Sequence, residues 1–341
     1  MNTTIAIIGS GFGMYCLLPA FSKIKECNVV GISGKNSTRM DNFCKKFHVQ
    51  QYTNWKDMLQ NEKPDAVAIA VIPKHQFEIA KYALEKKISI FAEKPLTTSY
   101  QDSLELTKLT QKHNIPNMVD FEFPEIPEWD EVKQIIDNHT LGKISSIDVN
   151  WTFMSYDLLH KIKSWKTDVE QGGGALSLVL SHTFYYLEFF LGKIKSMKFS
   201  SSSSDKSLNN GDTAINMNLL FENGCQGNVH VDISNSNEHN HTIKFLGNNG
   251  TLTLQNNTNS FVDNFQIILD KNNESKKIKP HKTLKISNED FEDQRVKIVN
   301  ILATKFIKWC QSNIPQKPDF QDGLRVQELI QIARNSNVDK F

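Results

Sequence analysis

Four short apolar runs in the first 120 residues constrain the fold most strongly. The chain opens with "TIAIIG", and similar runs follow at Asn28–Ser33, Asp65–Val71 and Ile88–Glu93. A helical pattern follows each of them. Continuous apolar strands that alternate with helices are typical of a parallel sheet covered on both faces. The sequence therefore predicts an α/β fold whose first domain, residues 1–120, is a doubly wound parallel sheet. The clearest predicted helices in it are Arg39–Phe47, His75–Lys86 and Tyr100–His113.

The pattern changes near Phe121. Asn223-Gly224 and the stretch Gly247–Gly250 each separate two alternating runs, which predicts two β-hairpins. Two helices, Phe291–Gln311 and Gln321–Asn335, are predicted to close the chain. We therefore expect residues 121–341 to form an α+β domain for substrate binding and oligomerisation. Its sheet is predicted to be open and mostly antiparallel, and its final helix is free to pack back on the first domain.

Composition excludes several classes of protein. The chain has 341 residues, 39% of them hydrophobic, and a formal net charge of +1 without a long basic run. This argues against nucleic acid as a partner. No apolar run reaches the roughly 18 residues that a membrane helix needs. The five cysteines form no C-x-x-C pair, and no zinc-binding spacing is present, so we expect free thiols, no metal site and a cytoplasmic location.

A glycine cluster follows the first strand. In "IIGSGFGM", Gly9, Gly11 and Gly13 lie between a strand and a helix. The first glycine permits a tight turn and the second a close approach of backbone to pyrophosphate, while the helix N-terminus faces the phosphates. Met14 occupies the third-glycine position of G-x-G-x-x-G, so the match is loose. Its place in the first βαβ unit nevertheless predicts a Rossmann dinucleotide-binding domain.

The end of the second strand bears on the choice of cofactor. An acid that binds the ribose 2′-hydroxyl is expected there, but the chain reads Ser33-Gly34-Lys35-Asn36-Ser37. Without a carboxylate, a 2′-phosphate is not repelled, and Ser33, Lys35, Ser37 and Arg39 are able to bind it. We therefore expect NADP in preference to NAD. A chain that accepts either cofactor, with Lys35 and Arg39 merely solvated, is the alternative.

A wider set of motifs resembles the Gfo/Idh/MocA family of sugar and cyclitol oxidoreductases. The resemblance depends on "IIGSGFG", on "PDAVAIAV" with Pro73 and His75, on "AEKPL" at Glu93-Lys94-Pro95, on "GGGAL" with His182, and on "DGLRVQELI". These motifs span nearly the whole chain in the family's order. The resemblance implies an NAD(P)-dependent oxidoreductase acting on a hydroxyl group of a sugar, nucleotide sugar or cyclitol. It also implies a homodimer or homotetramer built on the open sheet.

The resemblance implies roles for particular residues. Lys94 would lie between nicotinamide and substrate and act as proton donor, with a cis peptide to Pro95. The residues predicted to contact the cofactor are Gly9, Gly11, Phe12, Gly13, Ser33, Gly34, Lys35, Pro73, His75, Glu93 and Lys94. Those predicted to contact the substrate, beside the catalytic Lys94 and His182, are Glu122, Trp165, Lys166 and Tyr186.

One departure from the family pattern concerns the stretch Gly172–Tyr186. Relatives often present an aspartate and, four residues later, a histidine on one face of this helix. His182 matches the histidine, whereas Leu178 occupies the aspartate position. One interpretation is a ketoreductase in which Lys94 donates the proton and His182 assists. The other is a cofactor- or sugar-sensing protein that has lost catalysis. A hydrogen-bonded core histidine and, at Lys94, an ordinary surface lysine remain the simpler alternatives.

Overall fold

The computed structural model describes residues 2–204, 208, 210–235, 239–284 and 293–336. The strands are β1 (Thr3–Ile8), β2 (Cys27–Ser33), β3 (Gln50–Tyr52), β4 (Ala66–Ile69), β5 (Ser89–Ala92), β6 (Asn117–Val119), β7 (Ile144–Thr152), β8 (Ile194–Ser202), β9 (Ala214–Phe221), β10 (Gln226–Asp232), β11 (Asn240–Gly247), β12 (Gly250–Asn256), β13 (Gln266–Lys271) and β14 (Glu274–Ile278). The α-helices are α1 (Leu18–Ser22), α2 (Thr38–Phe47), α3 (Trp55–Glu62), α4 (Pro73–Glu85), α5 (Tyr100–His113), α6 (Pro127–Asp137), α7 (Tyr156–Leu159), α8 (Ala175–Leu178), α9 (Leu180–Leu191), α10 (Val296–Ser312) and α11 (Phe320–Asn335).

The chain divides into two compact units. The first comprises the described residues within 1–122 and 286–327, and the second those within 123–285 and 328–341. The division differs from the predicted ranges, 1–120 and 121–341, because the segment 286–327 belongs with the first unit. The predicted start of the tenth helix, Phe291, lies outside the described residues.

The first unit is built on a parallel sheet. Over its described residues the strand order is β3-β2-β1-β4-β5-β6, and every neighbouring pair is parallel. The aromatic rings of Phe21, Phe91 and Phe306 pack edge to face in its core, with centroids 5.4–6.4 Å apart. Phe306 comes from α10, so the returning segment completes this core. The predicted doubly wound sheet is confirmed.

The second unit is built on a mostly antiparallel sheet. Over its described residues the strand order is β14-β13-β12-β11-β7-β10-β9-β8, in which only β7 and β10 run parallel. Both predicted hairpins are confirmed, and Gly224 adopts a positive φ of 86° in the first of them. Trp129 and Tyr186 are completely enclosed in the core of this unit. Within the described part of the chain, no helix has the length and apolar character that crossing a membrane requires.

Candidate functional site

The glycine turn after β1 has the geometry of a phosphate cradle. Gly9 has φ +137°, and a Cβ on it would lie 2.1 Å from the Ala70 carbonyl oxygen. Gly11 is exposed, and a Cβ there would meet none of the described residues beyond its chain neighbours within 4 Å. Met14 and Tyr15 donate backbone N–H bonds to the Gly11 carbonyl, so the helical turn begins directly behind it. The open space in front of Gly11 and the helix start suit the pyrophosphate of a dinucleotide.

The end of β2 lies against this turn. A Cβ on Gly34 would lie 2.7 Å from Cβ of Ser10, so glycine is what lets the two loops touch. Ser33 is buried and Lys35 is exposed. Ser37 caps α2 by accepting the Met40 backbone N–H at 3.1 Å. The stretch 33–40 contains no carboxylate, and this composition is compatible with a 2′-phosphate.

Gln76 on α4 holds the loop that carries Lys94, and the sequence interpretation missed it. Pro73 begins this helix and His75 is exposed on it, whereas Gln76 is 1% exposed. The Gln76 amide lies 2.6–3.2 Å from the backbone carbonyls of Glu93, Pro95 and Leu96 and donates to them. It therefore fixes the loop that carries Lys94. A buried glutamine in the first turn of a βα helix was the signal that could have identified it.

Lys94 lies directly after β5 among three carboxyl groups. Its peptide bond to Pro95 is cis, as predicted. Glu93 and Lys94 keep part of their surface exposed, whereas Asp120 and Glu122, which follow β6, are 1% and 7% exposed. Burial lowers the pKa of Lys94, although Glu93 and Glu122 oppose this effect. A lysine tuned in this way exchanges a proton more readily near neutral pH than an ordinary one.

Burial also controls the protonation of the carboxyl groups. It raises the pKa of Glu122 to about 7, against the opposing effect of the Lys94 ammonium. Burial, and then the neighbouring carboxylate of Glu93, raise the pKa of Asp120 well above its ordinary value. The Asp120 and Glu93 carboxyl groups also interact with each other through their side chains. The Asp120 carboxyl is therefore expected to hold a proton at neutral pH.

Arg295 connects the returning segment to the glycine turn, and it too was missed. Its guanidinium donates two hydrogen bonds to Asp293, at 2.9 and 2.7 Å. The Arg295 Cζ atom lies 4.6 Å from the ring centroid of Phe12, in a cation–π contact. Its charge also acts on Glu93, Lys94, Asp120 and Glu122. Arg295 comes about 200 residues after Lys94, so no local sequence pattern predicts that the two act on each other.

In the second unit, the glycine triplet is a packing device. A Cβ on Gly173 would lie 2.2 Å from the Trp165 carbonyl oxygen, and one on Gly174 would lie 2.5 Å from an oxygen of Asp212. Asp212 accepts the Leu176 backbone N–H at 2.8 Å and so caps α8. The triplet therefore lets two neighbouring loops reach the start of this helix. It does not have the phosphate-cradle geometry of Gly9–Gly13.

The helix expected after the triplet is interrupted. Val179, with φ −107°, separates α8 from α9, so Leu178 and His182 belong to different helices. The expectation that they occupy one face of a continuous helix is wrong. Asp212, which is distant in sequence, caps the start of the short first helix, and local periodicity does not reveal the break at Val179. His182 is 6% exposed and packs edge-on against Phe123 at 5.0 Å.

Leu178 and Lys166 line a cavity of about 30 Å³ in the second unit. Asp157 and Asp212 also line it. The exposed Lys166 ammonium lies 3.9 Å from a carboxylate oxygen of Asp157. Trp165 is half-buried and begins a short 3₁₀ turn. The cavity holds about one water molecule, so it is too small to admit a sugar.

Tyr186 lies inside an aromatic cluster. It is 0% exposed, and its ring centroid lies 5.0 Å from that of Trp129. Its hydroxyl lies 3.5 Å from Nε2 of His241, which stacks on Trp151 at 4.1 Å. Burial lowers the pKa of His241 to about 3. These contacts explain Tyr186 by packing and do not support the predicted substrate contact.

A parallel sheet with a glycine turn after β1 and a lysine after β5 defines a dinucleotide-dependent oxidoreductase. Two family models give the finer assignment. Residues 3–121 match the NAD-binding Rossmann fold of the Gfo/Idh/MocA oxidoreductases, and residues 133–340 match the C-terminal alpha/beta domain of that family. The chain belongs to the Gfo/Idh/MocA oxidoreductase family, whose members act on sugar hydroxyls with NAD(P).

Individual relatives agree with the family match. An uncharacterized oxidoreductase of Synechocystis sp. is 29% identical over 281 residues, which cover 78% of this chain and 75% of the relative. An aldose–aldose oxidoreductase from Caulobacter crescentus, solved with glycerol, superposes with a TM-score of 0.84 at 14% identity and covers 98% of this chain and 97% of its own. Levoglucosan dehydrogenase, solved with NADH and levoglucosan, gives a TM-score of 0.84 at 19% identity, with coverage of 98% and 97%. At these identities the two structures show the fold alone.

Proposed function

We propose that this protein is an NADP-preferring oxidoreductase that interconverts a hydroxyl group and a ketone on a sugar, nucleotide sugar or cyclitol, with Lys94 as proton donor. The observation that supports this most is the setting of Lys94. It follows β5, an interior strand of the parallel sheet, its loop is fixed by Gln76, and burial lowers its pKa. A solvated surface lysine has none of these features.

The chemistry follows from that setting. The bound nicotinamide supplies or accepts a hydride. Lys94 then has two tasks in the reductive direction: its ammonium stabilises negative charge that develops on the substrate oxygen, and it gives that oxygen a proton. In the oxidative direction its neutral amine takes the proton from the hydroxyl. Of the predicted partners, His182 and Lys166 remain candidates for binding substrate hydroxyls.

The preference for NADP is proposed from the end of β2. Gly34 brings this loop against the glycine turn, and Lys35 is exposed beside it. Levoglucosan dehydrogenase, by contrast, was solved with NADH, so the family fold does not by itself fix the choice. A sugar or cyclitol substrate and a homodimer or homotetramer are proposed on the resemblance. A cytoplasmic location stays a prediction.

Fluorescence titration with NADPH and NADH tests the cofactor assignment. In the Lys35→Ala variant we expect about tenfold weaker NADPH binding and unchanged NADH binding, because a charge-assisted hydrogen bond to the 2′-phosphate is lost. Lys108→Ala, an exposed lysine on α5, serves as the matched control and should change neither affinity. Equal losses for both cofactors in Lys35→Ala would contradict the preference, and no binding of either cofactor would contradict the function itself.

A further inference from the structure

Lys94 and Glu122 lie at the same edge of the parallel sheet. β5 and β6 are neighbours with Ala92 opposite Val119, and the Asp120 backbone N–H continues the ladder to the Ala92 carbonyl at 2.8 Å. Lys94 is the second residue after β5, and Glu122 is the third after β6. The two side chains are therefore presented together within one unit.

The charges around this edge do not balance. In the part of the chain that the structure describes, four carboxyl groups interact with two cations, Lys94 and Arg295; the carboxyl groups are those of Glu93, Asp120, Glu122 and Asp293. Asp120 is 1% exposed, and its carboxyl group interacts with the neighbouring carboxyl group of Glu93. Because buried uncompensated charge is costly, the cluster retains protons. Packing alone does not require protonated carboxyl groups next to Lys94.

Leu178 marks a departure from the family pattern in the second unit. Leu178 occupies the position at which the family resemblance implies an aspartate, and it precedes a break in the helix. We propose that Glu122 exchanges protons with Lys94 during turnover and so takes the place of that missing acid. The proposal rests on the function proposed above. In this proposal Glu122 acts on the substrate only through Lys94.

In a reduction, one proton passes from Lys94 to the substrate and a second passes from Glu122 to Lys94. As hydride adds to the carbonyl carbon, the C=O π pair moves to oxygen, which takes a proton from Lys94 Nζ. The N–H bonding pair stays on Nζ as a lone pair. The Glu122 carboxylic acid then gives its proton to that lone pair, and the resulting carboxylate is protonated again from solvent. Oxidation follows the same path in reverse.

The titration of the groups supports this exchange. The pKa of Glu122 is raised to about 7, and that of Lys94 is lowered, so the two move towards each other. The charged groups that act on Lys94 are Glu93, Glu122, Arg295 and Asp120, and those that act on Glu122 are Lys94, Glu93 and Arg295. Proton transfer is efficient when donor and acceptor have similar pKa values.

The first test needs neither cofactor nor substrate. The full-length chain is labelled with trace acetic anhydride across a pH range, and acetylation of Lys94 is followed by mass spectrometry. Because the Glu122 carboxylate raises the pKa of Lys94, we expect Glu122→Gln to lower the labelling midpoint by about one pH unit. Glu105→Gln, a carboxylate paired with Lys81 on the surface, is the control and should leave the midpoint unchanged. An unchanged midpoint in Glu122→Gln overturns the proposal.

The second test measures turnover. We expect Glu122→Gln to lose about tenfold or more in kcat with unchanged NADPH affinity, and to regain activity as acetate or imidazole is added at constant pH. Glu122→Asp keeps a titratable carboxyl and should retain more activity than the glutamine variant. A Glu122→Gln enzyme with the wild-type kcat and pH profile overturns the proposal. A wild-type protein inactive on every sugar and cyclitol tried contradicts the proposed function instead, while the labelling result still decides the coupling.

Discussion

Replacing Lys94 with alanine is expected to lower turnover about 100- to 10,000-fold, because the substrate oxygen loses both its proton donor and the positive charge that stabilises it. Cofactor affinity should fall much less than turnover, since the glycine turn and the end of β2, which are proposed to hold the phosphates, are untouched. Steady-state kinetics on the reactive sugar, together with NADPH fluorescence titration, separate the two effects. A Lys94→Ala protein that keeps wild-type turnover would contradict the assignment.

The pH profile gives an independent view of the same residue. Reduction requires the protonated ammonium, so its rate should fall as the pH rises through the pKa of Lys94. Since burial lowers that pKa, the fall should come below the range of an ordinary lysine. Oxidation requires the neutral amine and should show the opposite trend. If this pH-dependent decrease in rate is lost in Lys94→Ala but kept in the surface variant Lys108→Ala, it is caused by Lys94.

Lys94→Arg distinguishes charge from proton donation. Arginine keeps a positive charge but does not release a proton at any accessible pH. We expect the arginine variant to be slower than wild type, and its pH–rate profile should lack the decrease that the titration of Lys94 causes. If cofactor and sugars bind but no variant and no wild-type protein shows turnover, the chain would instead be a sensing protein of the same fold. Leu178 is the residue that keeps this alternative open.

Local sequence was sufficient to predict the first unit's architecture. The strands β1, β2, β4 and β5 are continuous apolar runs, and the helix Tyr100–His113 lies where its pattern indicates. The glycine turn and Lys94 could be assigned to the ligand-binding edge of the sheet, because the carboxyl ends of parallel strands meet at one edge. The hairpin at Asn223-Gly224 could also be predicted from local sequence, since its turn requires a residue with a positive φ.

Other features depended on contacts distant in sequence. Asp212 caps a helix that begins 37 residues earlier in the sequence. The hydrophobic pattern near Val179 does not predict the break between α8 and α9. Arg295 reaches Phe12 only because the returning segment joins the first unit. Tyr186 looked like a cleft residue by helical spacing, yet Trp129 and His241 enclose it. In each case tertiary packing decided the role, and the helix pattern alone could not show it.

Substitutions at the buried Gly9 and the exposed Gly11 should separate effects on folding from effects on cofactor binding. Gly9→Ala is expected to lower the free energy of unfolding by about 2–6 kcal/mol, because its φ of +137° strains an alanine and its Cβ would meet the Ala70 carbonyl at 2.1 Å. Urea denaturation measures this loss. A Gly9→Ala protein as stable as wild type would show that the turn can rearrange, which the short distance to backbone argues against.

Gly11→Ala is the matched control, and its expected result is the reverse. Apart from its chain neighbours, no atom of the described residues lies within 4 Å of the new Cβ, so the free energy of unfolding should change by less than about 0.5 kcal/mol. The methyl group would nevertheless fill the space in which the backbone approaches a pyrophosphate, so NADPH and NADH should both bind about tenfold or more weakly. Because Lys35→Ala is expected to affect NADPH alone, the two variants together distinguish the pyrophosphate from the 2′-phosphate. Wild-type affinity for both cofactors in Gly11→Ala would mean that this turn does not hold the phosphates.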